Sequence, residues 1–201
     1  MYNLLFSINN FSNQIVSTLE GTMGIGYPIL FNGIGVISIV LQFLIFQMRD
    51  KKRIVTVGVF SDIGWLLYFA LQGDLISGTA NIIGIMSKNI VLLREKHKWA
   101  ESKGWNIFFL LFACGFSLLT FKSIVDIFAV IACTSSVLAF FMEKENNIRK
   151  VALVSFCAFA CNSISKLYVV ALIADVTALI SIITSLIRYG KEEKREKREE
   201  E

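Results

Sequence analysis

The sequence predicts an all-α polytopic membrane protein with seven transmembrane helices. Three observations predict it. Hydrophobic residues make up 55% of the 201-residue chain, with a mean hydropathy of +0.62; the apolar residues gather in seven stretches; and the lysines and arginines gather in every second gap between those stretches. A helix needs roughly 20 apolar residues to cross a bilayer core, so seven spans consume nearly the whole chain. No soluble catalytic domain fits beside them, and the chain reads as one polytopic membrane domain.

In chain order, residues 1–23 form an outer N-terminal segment. It lacks a positive n-region and a small-residue cleavage site, so no signal peptide is expected; Asn3 to Thr18 reads as a short interfacial segment or as disordered chain. Span one covers residues 24–47 and is followed by Arg49, Lys51, Lys52 and Arg53. Spans two and three, 54–72 and 75–93, are joined by little more than Gly73 and Asp74, and then come Arg94, Lys96, Lys98 and Lys103. Span four (105–120) and span five (123–142) precede Lys144, Arg149 and Lys150. Spans six and seven, 150–169 and 171–188, nearly touch at Val170 and lead to Arg188, Lys191, Lys194, Arg195, Lys197 and Arg198. Of the basic residues only Lys88, Lys122 and Lys166 lie elsewhere. Positive charge stays on the cytoplasmic side. The N-terminus is therefore expected outside, and the C-terminus in the cytoplasm.

A formal charge of +4 and a pI near 8.9 raise nucleic acid as a partner. The basic residues are spread among loops with no single aromatic-interleaved patch, which points to topology and against nucleic acid. Cys114, Cys133, Cys157 and Cys161 all fall inside spans without a CxxC pair, and His97 lies in a loop. No metal site, disulfide or cofactor is expected from them. The 191–201 tail, KEEKREKREEE, would continue span seven as a solvated helix or stay disordered.

Spans one to three and five to seven form two similar three-helix units. They are residues 24–93 and 123–190, with residues 94–122 as loop and linker helix, a 3+1+3 layout. An ungapped offset of 94 residues aligns Val36 with Val130, Leu44 with Leu138, Phe46 with Phe140, Met48 with Met142, Ser61 with Ser155, Ala80 with Ala174, Ser87 with Ser181 and Arg94 with Arg188. One linker helix keeps the two units in the same orientation, a parallel repeat about an axis along the membrane normal.

Polar groups inside a membrane usually face a protein interior or a water-filled cavity. Antiparallel spans two and three bring Trp65 and Asn81 to one level, and place Asp62 and Lys88 together nearer the cytoplasm as an ion pair or gate. The offset puts Phe159 at the Trp65 position, Asp175 at the Asn81 position and Ile182 at the Lys88 position. A central site would be lined by Trp65, Asn81, Phe159 and Asp175. The plainer readings are a packing or interfacial tryptophan, an interhelical asparagine and a structural ion pair.

The Trp65 and Asn81 spacing across a tight outer turn, the 3+1+3 layout and the outside N-terminus resemble the SWEET and SemiSWEET sugar transporters, in which a Trp and an Asn at this spacing contribute to the substrate site. The run from Gly35 to Arg94, with FQMRDKKR at 46–53 and LQGDLISGTANIIGIMSKNIVLLR at 71–94, resembles the YgjV-type bacterial inner-membrane proteins, a relative of that superfamily. The first 20 residues and the tail lie outside this resemblance. The chain departs from the sugar transporters in carrying one proline, Pro28, and no PQ pair. Its glycines, among them Gly33, Gly35, Gly58, Gly64, Gly78 and Gly84, would supply flexibility or close helix packing instead.

The sequence-based reading is a transporter of a small polar solute, sugar-like or nucleoside-like, working by alternating access around the central site. Vitamin-precursor transporters of the PnuC type share the broad layout. The alternative is a non-transporting membrane scaffold or regulatory subunit that reuses the fold. No HExxH or GxSxG motif appears, and the Ser87-Lys88 and Ser165-Lys166 neighbours point to different helix faces, so no enzyme is expected. The expected partners are the solute and the lipid bilayer; a monomer is sufficient for one pathway, and a homodimer is compatible with it.

Overall fold

A computed structural model describes residues 2–72, 75–119, 123–165, 167 and 169–199. The Gly73-Asp74 turn, Lys122 and Lys166 lie outside them. Eight α-helices run through the described residues: α1 (Tyr2–Met23), α2 (Gly26–Gln47), α3 (Lys51–Leu71), α4 (Leu75–Leu93), α5 (Lys103–Leu119), α6 (Ile127–Phe141), α7 (Glu145–Ser165) and α8 (Val169–Glu199). Short 3-10 turns at Lys98–Glu101 and Ile124–Asp126 precede α5 and α6.

Among the described residues, five stretches are long and apolar enough to cross a membrane: Gly26–Gln47, Lys51–Leu71, Ile124–Phe141, Glu145–Ser165 and Val169–Lys191. Two shorter apolar stretches, Ala80–Leu93 and Lys103–Leu118, fall on predicted spans three and four. In hydrocarbon every backbone group must bond within the segment, which the helix alone achieves for a single chain stretch. Side chains facing lipid need only be apolar, and Val36, Ile37, Val40, Phe60, Ile107 and Leu111 are accordingly exposed.

The structure decides two open alternatives and shifts one expected boundary. Residues 2–23 form a helix and not disordered chain; α1 closes at Gly24, whose φ of +52° is a conformation that glycine adopts without strain. The tail takes the helical alternative, since α8 continues to Glu199. Helix α7 begins at Glu145, five residues ahead of predicted span six. That extension moves Arg149 out of the loop and into a helix.

Consecutive helices are antiparallel neighbours. Helix α3 packs between α2 and α4, and α7 between α6 and α8; across these trios α2 packs on α8 and α4 on α6, while α5 lies against α6 and α4. Small residues allow the close approaches, as expected where lipid supplies no hydrophobic drive. A Cβ at Gly35 would come 2.9 Å from the Tyr68 ring, and one at Gly64 would collide with the Ser38 hydroxyl.

The boundaries repeat. Helices α2 and α6 end 94 residues apart, α3 and α7 both begin and end 94 apart, and α4 and α8 begin 94 apart. Met48 and Met142, which follow α2 and α6, share extended backbone angles (φ −71°, ψ 139° and φ −65°, ψ 143°). Matching positions share burial: Ser61 with Ser155, Ser87 with Ser181, Ile54 with Ile148 and Phe46 with Phe140. One end of the bundle, where α2 and α6 finish and α3 and α7 start, carries Arg49, Lys51, Lys52, Lys144 and Lys150 and is termed the basic end.

Candidate functional site

The predicted depth relationship holds. Trp65 and Phe159 each stand six residues before the end of α3 and α7, while Asn81 and Asp175 each stand six residues after the start of α4 and α8. All four are thus about 9 Å along their helices from the termini opposite the basic end.

Two of the four make hydrogen bonds near the seam, each through its own partner. The Trp65 indole donates to Gln42 Oε1 at 2.7 Å, and Gln42 Nε2 donates to the Ala174 carbonyl at 3.4 Å, next to Asp175. Asp175 is buried and accepts a 2.7 Å hydrogen bond from Ser163 Oγ on α7. Gln42 therefore connects α2, α3 and α8 at the seam between the two trios. The indole has one donor, and Gln42 takes it; Asn81 is half-buried on α4. Phe159 belongs to a different cluster: its ring lies 6.0 Å from Phe156, which meets Phe46 of α2 edge-on at 5.7 Å.

Around Trp65 the aromatic residues are close-packed. Tyr68 meets it edge-on at 5.4 Å and Phe69 stacks on it at 5.9 Å, while Phe31 and Tyr27 continue the cluster along α2. The Tyr27 hydroxyl donates to the Leu71 carbonyl, tying the start of α2 to the end of α3.

Asp62 and Lys88 form the expected ion pair, Nζ to Oδ2 at 2.5 Å, with side chains 15% and 5% exposed. Lys88 Nζ also lies 3.5 Å from the Gly58 carbonyl and 4.2 Å from the centre of the Phe140 ring on α6. Glycines make the space: a Cβ at Gly58 would come 3.1 Å from Lys88 Cε, and one at Gly84 would strike the Asp62 carboxylate. The repeat explains the surroundings. The counterparts of Asp62, Lys88 and Phe140 are Phe156, Ile182 and Phe46, which pack together in the apolar core. One seam thus holds an ion pair where its counterpart holds hydrocarbon.

A second polar cluster, absent from the sequence reading, joins the trios at the basic end. Arg149 is 1% exposed. Its guanidinium donates to the carbonyls of Phe46 (3.3 Å) and Met48 (2.6 Å) at the end of α2 and to Asn146 Oδ1 (3.0 Å), and lies 4.3 Å over the Tyr189 ring. The Tyr189 hydroxyl donates to the Gln47 carbonyl at 2.8 Å, and Gln47 Nε2 donates to Ser181 Oγ and Thr184 Oγ1 on α8 at 3.0 and 3.1 Å. Arginine suits this task, because its planar fork satisfies several of the carbonyls that a helix end leaves open. Among the described residues no group of three or more His, Cys, Asp or Glu could hold a metal ion.

A model of the bacterial inner membrane protein family Imp-YgjV matches residues 29–193, from the first turn of α2 into the final part of α8. The chain belongs to the Imp-YgjV family. This Imp-YgjV protein is accordingly a multi-pass protein of the bacterial inner membrane, and α1 lies outside the region that the family shares. No curated protein and no solved structure matches it.

Proposed function

We propose that this Imp-YgjV protein transports a small polar solute by alternating access between two three-helix units, in the SWEET-like 3+1+3 manner, with the basic end in the cytoplasm. The observation that carries the proposal is the run of hydrogen bonds from Trp65 through Gln42 to the Ala174 carbonyl at the seam between the trios, with the buried Asp175–Ser163 pair on the adjacent residue. Buried amide and carboxylate groups in a membrane are costly unless they serve an interior site. The 94-residue recurrence of helix ends supports the repeat.

Asp175 and Gln42 would supply directional hydrogen bonds to the solute, and the Trp65 and Phe159 faces its apolar contact. Asn81 would join them when the trios move apart. The bonds of Gln47 and Tyr189 between α2 and α8, and of Arg149 between α7 and the end of α2, would close the basic end, so an inward opening must break them or pivot on them. Lys88, reaching from Asp62 to Phe140 across the α4/α6 seam, is the matching contact on the other side.

Purified protein reconstituted in liposomes tests this against a mixture of sugars, nucleosides, vitamins and amino acids, with the lumen read by mass spectrometry. One solute class should enter faster than into protein-free liposomes, and Asp175→Asn should abolish that entry. Entry equal to protein-free liposomes for every class would contradict the proposal. It would favour a scaffold or regulatory subunit, a reading favoured by the packing of Trp65 against Tyr68 and Phe69 with its indole donor satisfied.

A further inference from the structure

Among the described residues helix α5 packs mainly on α6 and α4, and its exposed face, with Ile107, Phe108, Leu111 and Phe112, is not a uniform apolar one. A ladder of rings descends it. His97 stacks on Trp99 at 6.1 Å, Trp99 meets Trp105 edge-on at 5.9 Å, Trp105 meets Phe108 at 6.0 Å, and Phe108 stacks on Phe112 at 5.9 Å. The loop end of the ladder is held in place: Trp105 Nε1 donates to the Trp99 carbonyl at 3.1 Å, and Arg94 Nε donates to the Ala100 carbonyl at 3.1 Å. Trp99, Phe108 and Phe112 nevertheless stay about half exposed, as do their neighbours Ile107 and Leu111.

Charge is concentrated at the same place. Lys96, Lys98 and Lys103 are exposed around the top of the ladder, with Glu101 as the one acidic residue between positions 96 and 103. The preceding Glu95 is taken by Lys52 at 2.5 Å. A net cationic rim above a rigid aromatic strip that runs into the bilayer complements one kind of partner, an anionic headgroup carrying acyl chains.

We propose that this end of α5 is a binding site for an anionic phospholipid of the leaflet at the basic end. Lys98 and Lys103 hold the phosphate, Trp99 lies at the glycerol level, and an acyl chain runs along Trp105, Phe108 and Phe112. The site is independent of solute transport and stands whichever way the uptake experiment falls.

The test uses the full chain in detergent with added phosphatidylglycerol or phosphatidylcholine of identical acyl chains, reading thermal unfolding and lipid affinity. Phosphatidylglycerol should bind more tightly, and Lys98→Gln/Lys103→Gln should weaken it by about fivefold for each lysine removed. The same double change should weaken phosphatidylcholine binding less, because its choline ammonium offsets the charge of the phosphate. Lys144→Gln/Lys150→Gln removes equal charge from another exposed part of the basic end and should preserve the preference. Equal affinity for the two lipids would overturn the site. Equal loss in the two double variants would also overturn it, reducing the preference to general surface charge.

Discussion

Lys88→Ala is expected to destabilise the folded protein by about 3–5 kcal/mol, because it leaves the Asp62 carboxylate buried without its partner. The lysine is 4% exposed, and its ammonium is surrounded by Asp62 Oδ2, the Gly58 carbonyl and the Phe140 ring. Gly84 is pressed against the carboxylate, which leaves little space beside it for water. The double change Asp62→Leu/Lys88→Met should behave differently. It makes the first trio resemble the second, where Phe156 and Ile182 fill the matching positions. Removing both charges together avoids the uncompensated one, and stability should return to within about 1–2 kcal/mol of the parent. Denaturant titration of the detergent-solubilised variants checks both values. A Lys88→Ala protein as stable as the parent would mean that Asp62 has another partner. A double variant as unstable as the single one would mean that the pair is needed for packing as well as for charge. If the pair serves the transport cycle, the stable double variant should fold yet fail to carry solute.

Arg149→Met is expected to cost about 2–4 kcal/mol, since each buried acceptor left without its donor costs about 1–3 kcal/mol. The acceptors are the carbonyls of Phe46 and Met48, at the point where α2 stops and the chain turns toward α3. Methionine keeps most of the apolar stem and removes the fork, so the loss reports the hydrogen bonds and the contact with Tyr189. Arg149→Lys should recover only part of it, because an ammonium cannot reproduce the planar fork. Unfolding titrations read the stability, and cysteine cross-linking between α2 and α8 near Gln47 and Thr184 should become less efficient as the seam loosens. Unchanged stability and cross-linking would show that the basic end is held by Gln47 and Tyr189 alone.

Hydropathy and charge made most of the helical architecture legible, because both are properties of stretches and survive single exceptions. The 94-residue offset was readable for the same reason, and the helix ends at Gln47 and Phe141, and at Leu71 and Ser165, repeat it closely. Asp62 and Lys88 were legible because two antiparallel helices joined by a tight turn fix relative depth, and a long lysine tolerates error in rotation. Trp65 and Asn81 exposed the limit of that argument: depth was right, but the indole turned to Gln42 on α2, which no spacing within spans two and three could announce. Gln42 and Ser163 passed unnoticed because their partners lie 132 and 12 residues away in sequence, across helix contacts that a single chain does not reveal. An amide at Gln42, between the apolar runs 39–41 and 43–46 of span one, was the available signal. Arg149 was misread by grouping it with Lys144 and Lys150 as a loop charge, although its place beside Ile148 fits a helix start as well as a loop.

The central claim is that the seam bearing Trp65, Gln42 and Asp175 binds a solute in the folded protein. The most direct measurement is a thermal-shift screen of purified protein against sugars, nucleosides, vitamins and amino acids, run beside Trp65→Ala and Gln42→Ala. A ligand that binds only the folded state, at a hundred times its dissociation constant, adds about 2.7 kcal/mol. The account predicts such a shift for one solute class and its loss in both variants. A broad panel without any shift, or a shift that both variants retain in full, would contradict it.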